Sequence, residues 1–190
     1  MCIRDRRYVF PGGRVEVQDS RVRTATSLRP DVEELLTRST TPPRARALAA
    51  AAVRETFEET GLTIGKPDTL PEARVPKNWR KFFENGVAPS FEHLNYIARA
   101  VTPHWRPIRF NARFFMIAHQ YVSGELGGDG ELLDLSYIPI QKTKDFDLPL
   151  ITTRVMELVE ALARNPPEVD KHRTAKYFQH NGEFHDIFDE

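Results

Sequence analysis

The run Arg54-Glu55-Thr56-Phe57-Glu58-Glu59-Thr60-Gly61-Leu62 holds the residues best suited to chemistry. On a helix, Glu55, Glu58 and Glu59 stand at i, i+3 and i+4, so three carboxylates share one face. At a separation of ~4 Å two carboxylates repel by about 4 kcal/mol for an effective dielectric of roughly 20. Such a group persists either as a solvated face or because it holds hard cations. An all-oxygen set suits Mg²⁺, Mn²⁺ or Ca²⁺ rather than zinc.

The surrounding sequence predicts the helix that must carry them. From Ala45 to Thr60 it is rich in alanine, the best helix former, with no internal Gly or Pro. Leu48, Ala52, Val53 and Phe57 lie along one stripe, read as the buried side. Pro42 and Pro43 suit the start, and Gly61 suits the left-handed residue just past the end. The glutamates then occupy the last turn, where the helix dipole disfavours anions. Arg54 offsets part of the repulsion by pairing with one of them. Upstream, Tyr8-Val9-Phe10 reads as a strand running into Pro11-Gly12-Gly13-Arg14-Val15-Glu16. Glycines there allow backbone to approach a metal or phosphate closely.

With each residue type used at roughly 5–7%, the identities Arg54, Glu55, Glu58, Glu59 and Gly61 coincide by chance in a chain of this length on the order of once in 10⁴. Together with Phe-Pro-Gly-Gly, they resemble the box of the Nudix hydrolases, Gly-x5-Glu-x7-Arg-Glu-hydrophobic-x-Glu-Glu-x-Gly-hydrophobic. There are departures. Gly13 plus six is Asp19, so an aspartate stands where the box has its first glutamate, and Thr56 replaces an aliphatic residue. Between Asp19 and Arg54 lie 34 residues instead of seven, an excess of 27. Loop-closure entropy for that lengthening is only about 1.4 kcal/mol, which a fold absorbs. Within the insertion, placed at about residues 20–44, Asp31–Arg38 reads as a short amphipathic helix started by Arg29-Pro30, with Val32, Leu35 and Leu36 on one side.

A chain of 190 residues is enough for one domain of mixed class with a real core. Formal net charge is zero, so the whole-chain field steers toward neither nucleic acid nor membrane. Cys2 has no disulfide partner, the six histidines show no zinc spacing, and no apolar run is long enough for a membrane span or signal peptide. A reducing cytoplasm is the expected setting. Only nine residues precede Phe10, where the family has some tens carrying early strands, and Met1–Arg6 shows no readable pattern. The N-terminal strand or strands are therefore expected to be missing.

Downstream, Trp79–Glu84 and Ser90–Leu94 read as short helical pieces, and Tyr96–Val101, Arg109–Ala118 and Glu131–Pro139 as strands. Leu150–Arg164 is a strong amphipathic helix, and Tyr177–His180 with Glu183–Phe188 form a hairpin about Asn181-Gly182. On one strand, Arg109 and Arg113 would share a face and could grip a diphosphate, or simply be solvated. Glu125, Glu131 and Asp134 cluster in or just after the glycine-rich loop 127–130. Trp79, Phe82, Phe83, Phe91 and Tyr96 either fill the core or line an acyl or adenine pocket. Lys77, Arg80, Lys81 and Arg106 are cations available to a phosphate.

The resemblance implies an α/β (α+β) fold, a mixed sheet sandwiched between helices, over residues 1–164, with 165–190 as an extension bearing the hairpin. It implies an enzyme: a metal-dependent diphosphatase using Mg²⁺ or Mn²⁺ on Glu55, Glu58, Glu59 and a Gly12 or Gly13 carbonyl. Glu58 or Glu131 would be the base and Arg54 the residue that orients the glutamates. Gly13, Arg109 and Arg113 would meet substrate. The long insertion, the Trp79 segment and Arg109-Phe110…Arg113-Phe114-Phe115 look like the peroxisomal-type coenzyme A diphosphatases and their bacterial relatives. The expected partner is a small diphosphate, best matched by coenzyme A or acyl-CoA, with no nucleic acid and no membrane. ADP-ribose or another nucleoside diphosphate derivative, and a non-catalytic binding domain, remain alternative readings.

Overall fold

The computed structural model describes residues 2–4, 7–68, 75–130, 134–166, 173–180 and 185–190. A four-stranded sheet in the order β6-β5-β7-β8 forms its centre, from β5 (Asn95–Val101), β6 (Asn111–Met116), β7 (Lys176–His180) and β8 (His185–Asp189). β5 pairs antiparallel with β6 and parallel with β7, and β7 pairs antiparallel with β8. The segment expected to be a C-terminal extension thus supplies two strands of the central sheet. The turn expected at Asn181-Gly182 lies outside the described residues.

Helices cover both faces of this sheet. Strand geometry sends successive side chains to opposite sides. Phe115 accordingly packs on a core shared with α1 (Pro30–Thr37) and α2 (Pro42–Thr60), while Phe114 packs on Val155 and its neighbours in α4 (Leu150–Arg164). A bulge between Tyr96 and Ala98 breaks the alternation, so Tyr96 joins the first core and both Ile97 and Ala98 join the second. The result is the mixed α/β sandwich that the sequence reading anticipates.

The helix α2 carries the carboxylates. Pro42 and Pro43 occupy its first turn, and Gly61 ends it at φ 74°, with its N–H donating to Phe57 O at 2.8 Å. Its buried side is Ala45, Ala49, Ala50 and Val53, whereas Leu48 and Ala52 are only half-buried. The apolar stripe expected at Leu48 and Ala52 is therefore corrected. Small alanines let α1 lie close, and Ala47 and Ala51 are buried as well, so no single stripe defines the buried side.

The insertion is stitched to the rest of the chain by polar bonds as well as by Val32, Leu35 and Leu36. Arg29 donates to Glu92 O, Leu94 O and Asn95 Oδ1, and its guanidinium pairs with buried Asp31 at 3.1 Å. Thr26 Oγ1 takes the N–H groups of Phe91 and Glu92. Those bonds, following Pro89 in β4 (Val87–Pro89), leave Ser90–Leu94 as a turn and not the helical piece expected. β4 pairs with β3 (Gly65–Pro67).

Three further expectations change. Cys2–Arg4 (β1) pairs antiparallel with Arg7–Val9 (β2), although no pattern was legible in the first six residues. β6 is shorter than Arg109–Ala118, because Phe110 closes a loop by accepting from Thr102 N–H at 2.8 Å and donating to Thr102 Oγ1 at 3.1 Å. Of the strand expected over Glu131–Pro139, residues 134–139 are not a strand: Asp134 sits at φ 51°, a left-handed conformation a ladder does not accept. Trp79, Phe82, Phe91 and Tyr96 are at most 1% exposed and Phe83 is 7% exposed, so these aromatics are core, not pocket lining. The Trp79 segment is helical as expected: a 3-10 helix, Lys77–Trp79, leads into α3 (Arg80–Phe83).

Candidate active site

The site is organised by a buried ion pair that spans the insertion. Asp19, fully buried, receives Arg54 Nε at 2.9 Å and Nη2 at 3.2 Å. It also accepts Trp79 Nε1–H at 3.1 Å and Glu16 N–H at 2.8 Å. Asp19 sits in the turn Val17–Ser20, which packs on α2. The remaining Arg54 nitrogen, Nη1, contacts Glu55 Oε1 at 2.9 Å and Glu58 Oε2 at 2.7 Å, and Nη2 also donates to Arg14 O. Burial works against the Arg54 charge, but the Asp19 hydrogen bonds and the charges of Asp19, Glu55 and Glu58 hold its pKa above the ordinary arginine value. The aspartate at the box's glutamate position is thus the anchor of Arg54, a role the motif alone left unassigned.

The glycine turn closes over this centre. Gly12 N–H donates to Glu59 Oε2 at 2.7 Å, so its amide, and not its carbonyl, is what meets a glutamate. A Cβ on Gly13 would fall on the Glu55 carboxylate. Glu16 lies close enough to raise the pKa of both Glu55 and Glu58. For each of these two glutamates burial is the larger cause, with Arg54 opposing the rise. Glu16 is an acid that the spacing argument did not single out; it accepts from Asn78 Nδ2 at 2.9 Å. Since Asn78 lies between Lys77 and Trp79, the basic Lys77–Lys81 stretch borders the carboxylates.

Loop 124–130 wraps the C-terminal end of α2 through its backbone. Gly127 N–H donates to Thr60 O at 2.8 Å and Asp129 N–H to Glu58 O at 2.9 Å. These bonds satisfy carbonyls that a helix end otherwise leaves unpaired. Gly128 lies against the Glu59 carbonyl, at φ 139°. Glu131 lies outside the described residues, while the loop leading to it is held at Glu58. Glu125 and Asp134 are exposed.

The two arginines expected to share a strand face do not lie on one strand. Arg109 is exposed in the loop before β6. Arg113 is half-buried, opposite Arg99 across the sheet, and donates to Asn111 O at 3.0 Å and Ser39 Oγ at 3.3 Å. Burial, then the Arg99 charge, lowers its pKa. The shared strand expected for this pair is not formed, because β6 begins two residues after Arg109.

Among the described residues, no group of three or more His, Cys, Asp or Glu is gathered to hold a metal ion. The reason is visible: Arg54 draws Glu55 and Glu58 to itself, and Glu59 is turned to Gly12. The donor set nonetheless fits a hard cation. Asp19, Glu55 and Glu58 are three carboxylates on one guanidinium, Glu59 stands on the same helix turned to Gly12, and Asn78 Oδ1 is buried without a hydrogen-bond partner beside Glu16. Among the described residues no helix is long and apolar enough to cross a membrane.

No protein-family model matches the chain, and no curated protein matches it. Among solved structures, it is similar to the crystal structure of a Nudix hydrolase from Alicyclobacillus acidocaldarius, with a TM-score of 0.52 and 22% identity over 80% of this chain and 75% of that one. The chain therefore has a mixed α/β fold similar to that of a Nudix hydrolase.

Proposed function

We propose that this chain is a metal-dependent hydrolase that cleaves a phosphoanhydride in a nucleoside diphosphate linked to another moiety. The observation that carries this reading is the excess of carboxylates about Arg54, pressed against a glycine turn at the end of α2. A structure built for stability alone has no reason to desolvate Glu55 and Glu58 beside Glu16. Mg²⁺ or Mn²⁺, held by Glu55, Glu58 and Glu59, would neutralise the anhydride oxygens and lower the pKa of water. Arg54 holds Glu55 and Glu58 in position. Glu58, made more basic than an ordinary glutamate by burial and by its acidic neighbours, is suited to accept the proton of the attacking water. Glu131 is the second candidate for that step. Gly13 leaves room for the Glu55 carboxylate and a phosphate to approach the backbone. Lys77, Arg80 and Lys81, exposed and close in sequence to Asn78, are cations available to a further phosphate.

For the substrate, the sequence resemblance favours coenzyme A or acyl-CoA, cleaved to 3′,5′-ADP and a 4′-phosphopantetheine derivative. Comparing kcat/KM for coenzyme A, dephospho-coenzyme A and ADP-ribose at fixed Mg²⁺ tests this. Loss of the 3′-phosphate should lower kcat/KM by roughly tenfold or more, about 1.4 kcal/mol. Faster cleavage of ADP-ribose, with indifference to the 3′-phosphate, would favour a different nucleoside diphosphate derivative. Glu58→Gln should lower turnover of whichever substrate is cleaved by at least ~10²-fold, at the lower end of what a positioned base contributes. Equal activity at saturating Mg²⁺ would remove Glu58 from the mechanism.

A further inference from the structure

The zero net charge of the chain averages over a strong local asymmetry. Between Glu92 and Glu125 there is no acidic residue, while Arg99, Arg106, Arg109 and Arg113 fall in that span. Its most projecting part is the β5–β6 connection, Thr102-Pro103-His104-Trp105-Arg106-Pro107-Ile108-Arg109-Phe110. The neck is closed by the two hydrogen bonds between Thr102 and Phe110, and within it Arg106 N–H returns to Pro103 O at 3.2 Å. Two prolines restrict the backbone further. The tip is a defined hairpin end, not a loose tether.

This tip presents large apolar side chains to solvent: Trp105 is 51% exposed, Ile108 63% and Phe110 56%. A single exposed apolar residue needs no explanation. Three within six residues, alongside exposed Arg106 and Arg109 that form no ion pair among the described residues, make a concentrated patch. A stable protein–protein interface needs roughly 20–30 residues a side, and a nine-residue tip falls well short of that. A membrane surface asks for less. Apolar side chains need enter only ~5–10 Å into the headgroup boundary. Tryptophan favours that boundary, and arginines are attracted to anionic headgroups.

We propose that the 102–110 hairpin tip is a contact site for an anionic lipid surface, with Trp105, Ile108 and Phe110 entering the interface and Arg106 and Arg109 meeting lipid phosphates. The occupant follows from charge complementarity and from the shape of the tip, independently of the hydrolytic site. The chain has two tryptophans, and Trp79 is fully buried, so a change in emission on lipid binding reports Trp105.

The test is co-sedimentation of the full chain with phosphatidylcholine vesicles containing about one-third phosphatidylserine, read together with tryptophan emission. Binding with a blue shift is expected, and should fall steeply as salt is raised. Trp105→Ser with Ile108→Ser, and separately Arg106→Gln with Arg109→Gln, should each weaken partitioning by roughly tenfold or more. Both double variants should keep the parent's thermal midpoint, because the altered side chains are exposed. Absence of vesicle binding by the parent would overturn the proposal, as would equal binding by the parent and both variants. Equal binding to vesicles of phosphatidylcholine alone would remove the anionic requirement and overturn it too. Concentration-dependent dimers that the loop variants abolish, without vesicle binding, would assign the patch to a second copy of the chain instead.

Discussion

Replacing Asp19 by alanine should be among the most damaging single changes available in this molecule. Asp19 is 0% exposed and accepts four hydrogen bonds, two from Arg54 and one each from Trp79 Nε1 and Glu16 N–H. Breaking one side of a buried ion pair costs about 3–5 kcal/mol, since the surviving charge stays desolvated. An indole N–H orphaned in the core adds about 1–3 kcal/mol. Against this, Glu55 and Glu58 remain within 2.9 Å and 2.7 Å of Arg54 Nη1 and take up part of its charge. The net expectation is a loss of about 3–4 kcal/mol. For a chain of this length that is a fall of about 10 °C in the thermal midpoint. Urea unfolding of the metal-free protein measures it, with a lower midpoint and an unchanged slope. A loss below about 1 kcal/mol would refute the argument, because the network would then not be sustaining the fold. A second step separates stability from chemistry. Asp19→Leu combined with Arg54→Met removes both charges, and an apolar replacement of a buried pair is often neutral or stabilising. That double variant should recover most of the stability lost by Asp19→Ala, yet stay inactive, since nothing then holds Glu55 and Glu58. Recovery of activity would show that Arg54 is dispensable.

Gly13→Ala places a Cβ on the Glu55 carboxylate, the movable end of a side chain. Stability should therefore change by less than about 1 kcal/mol in urea unfolding, while kcat falls clearly, because Glu55 is displaced. Gly61→Ala differs, since at φ 74° its Cβ would meet the Glu125 carbonyl oxygen at 2.6 Å. There we expect a loss of about 2–3 kcal/mol by the same measurement, from left-handed strain plus the backbone clash. The pH dependence follows from Glu55 and Glu58, whose pKa values rise in the folded state through burial first and acidic neighbours second. A raised carboxyl pKa gives stability that is complete below the ordinary value of 4.5 and is lost as pH rises through the folded value. In EDTA, the midpoint of the parent relative to Glu58→Gln should therefore decline from about pH 4.5 upward, and Mg²⁺ should restore it near neutrality. Parallel profiles for the two proteins would contradict this.

What was legible in the sequence is what depends on local spacing. The α2 helix, its proline start and its Gly61 end are written in consecutive residues, as are α1 and the Leu150–Arg164 helix, because a helix satisfies its backbone within a few positions. That Glu55, Glu58 and Glu59 share one face followed from the same periodicity. Only the tertiary structure brought Asp19 to Arg54 across 34 intervening residues, where the pairing rests on contacts from Trp79 and Glu16 that no local pattern encodes. It likewise turned Glu59 to Gly12 and brought Glu16 beside Glu55 and Glu58. It also left Arg109 outside the strand that carries Arg113, because the Phe110 N–H goes to the Thr102 hydroxyl and not to a backbone ladder. Residues 134–139 failed as a strand for the same kind of reason: their apolar content met a left-handed Asp134. Spacing sets which side chains a helix presents; which distant groups they meet is decided by the closure of loops and by the burial of charge, and those are properties of the whole chain.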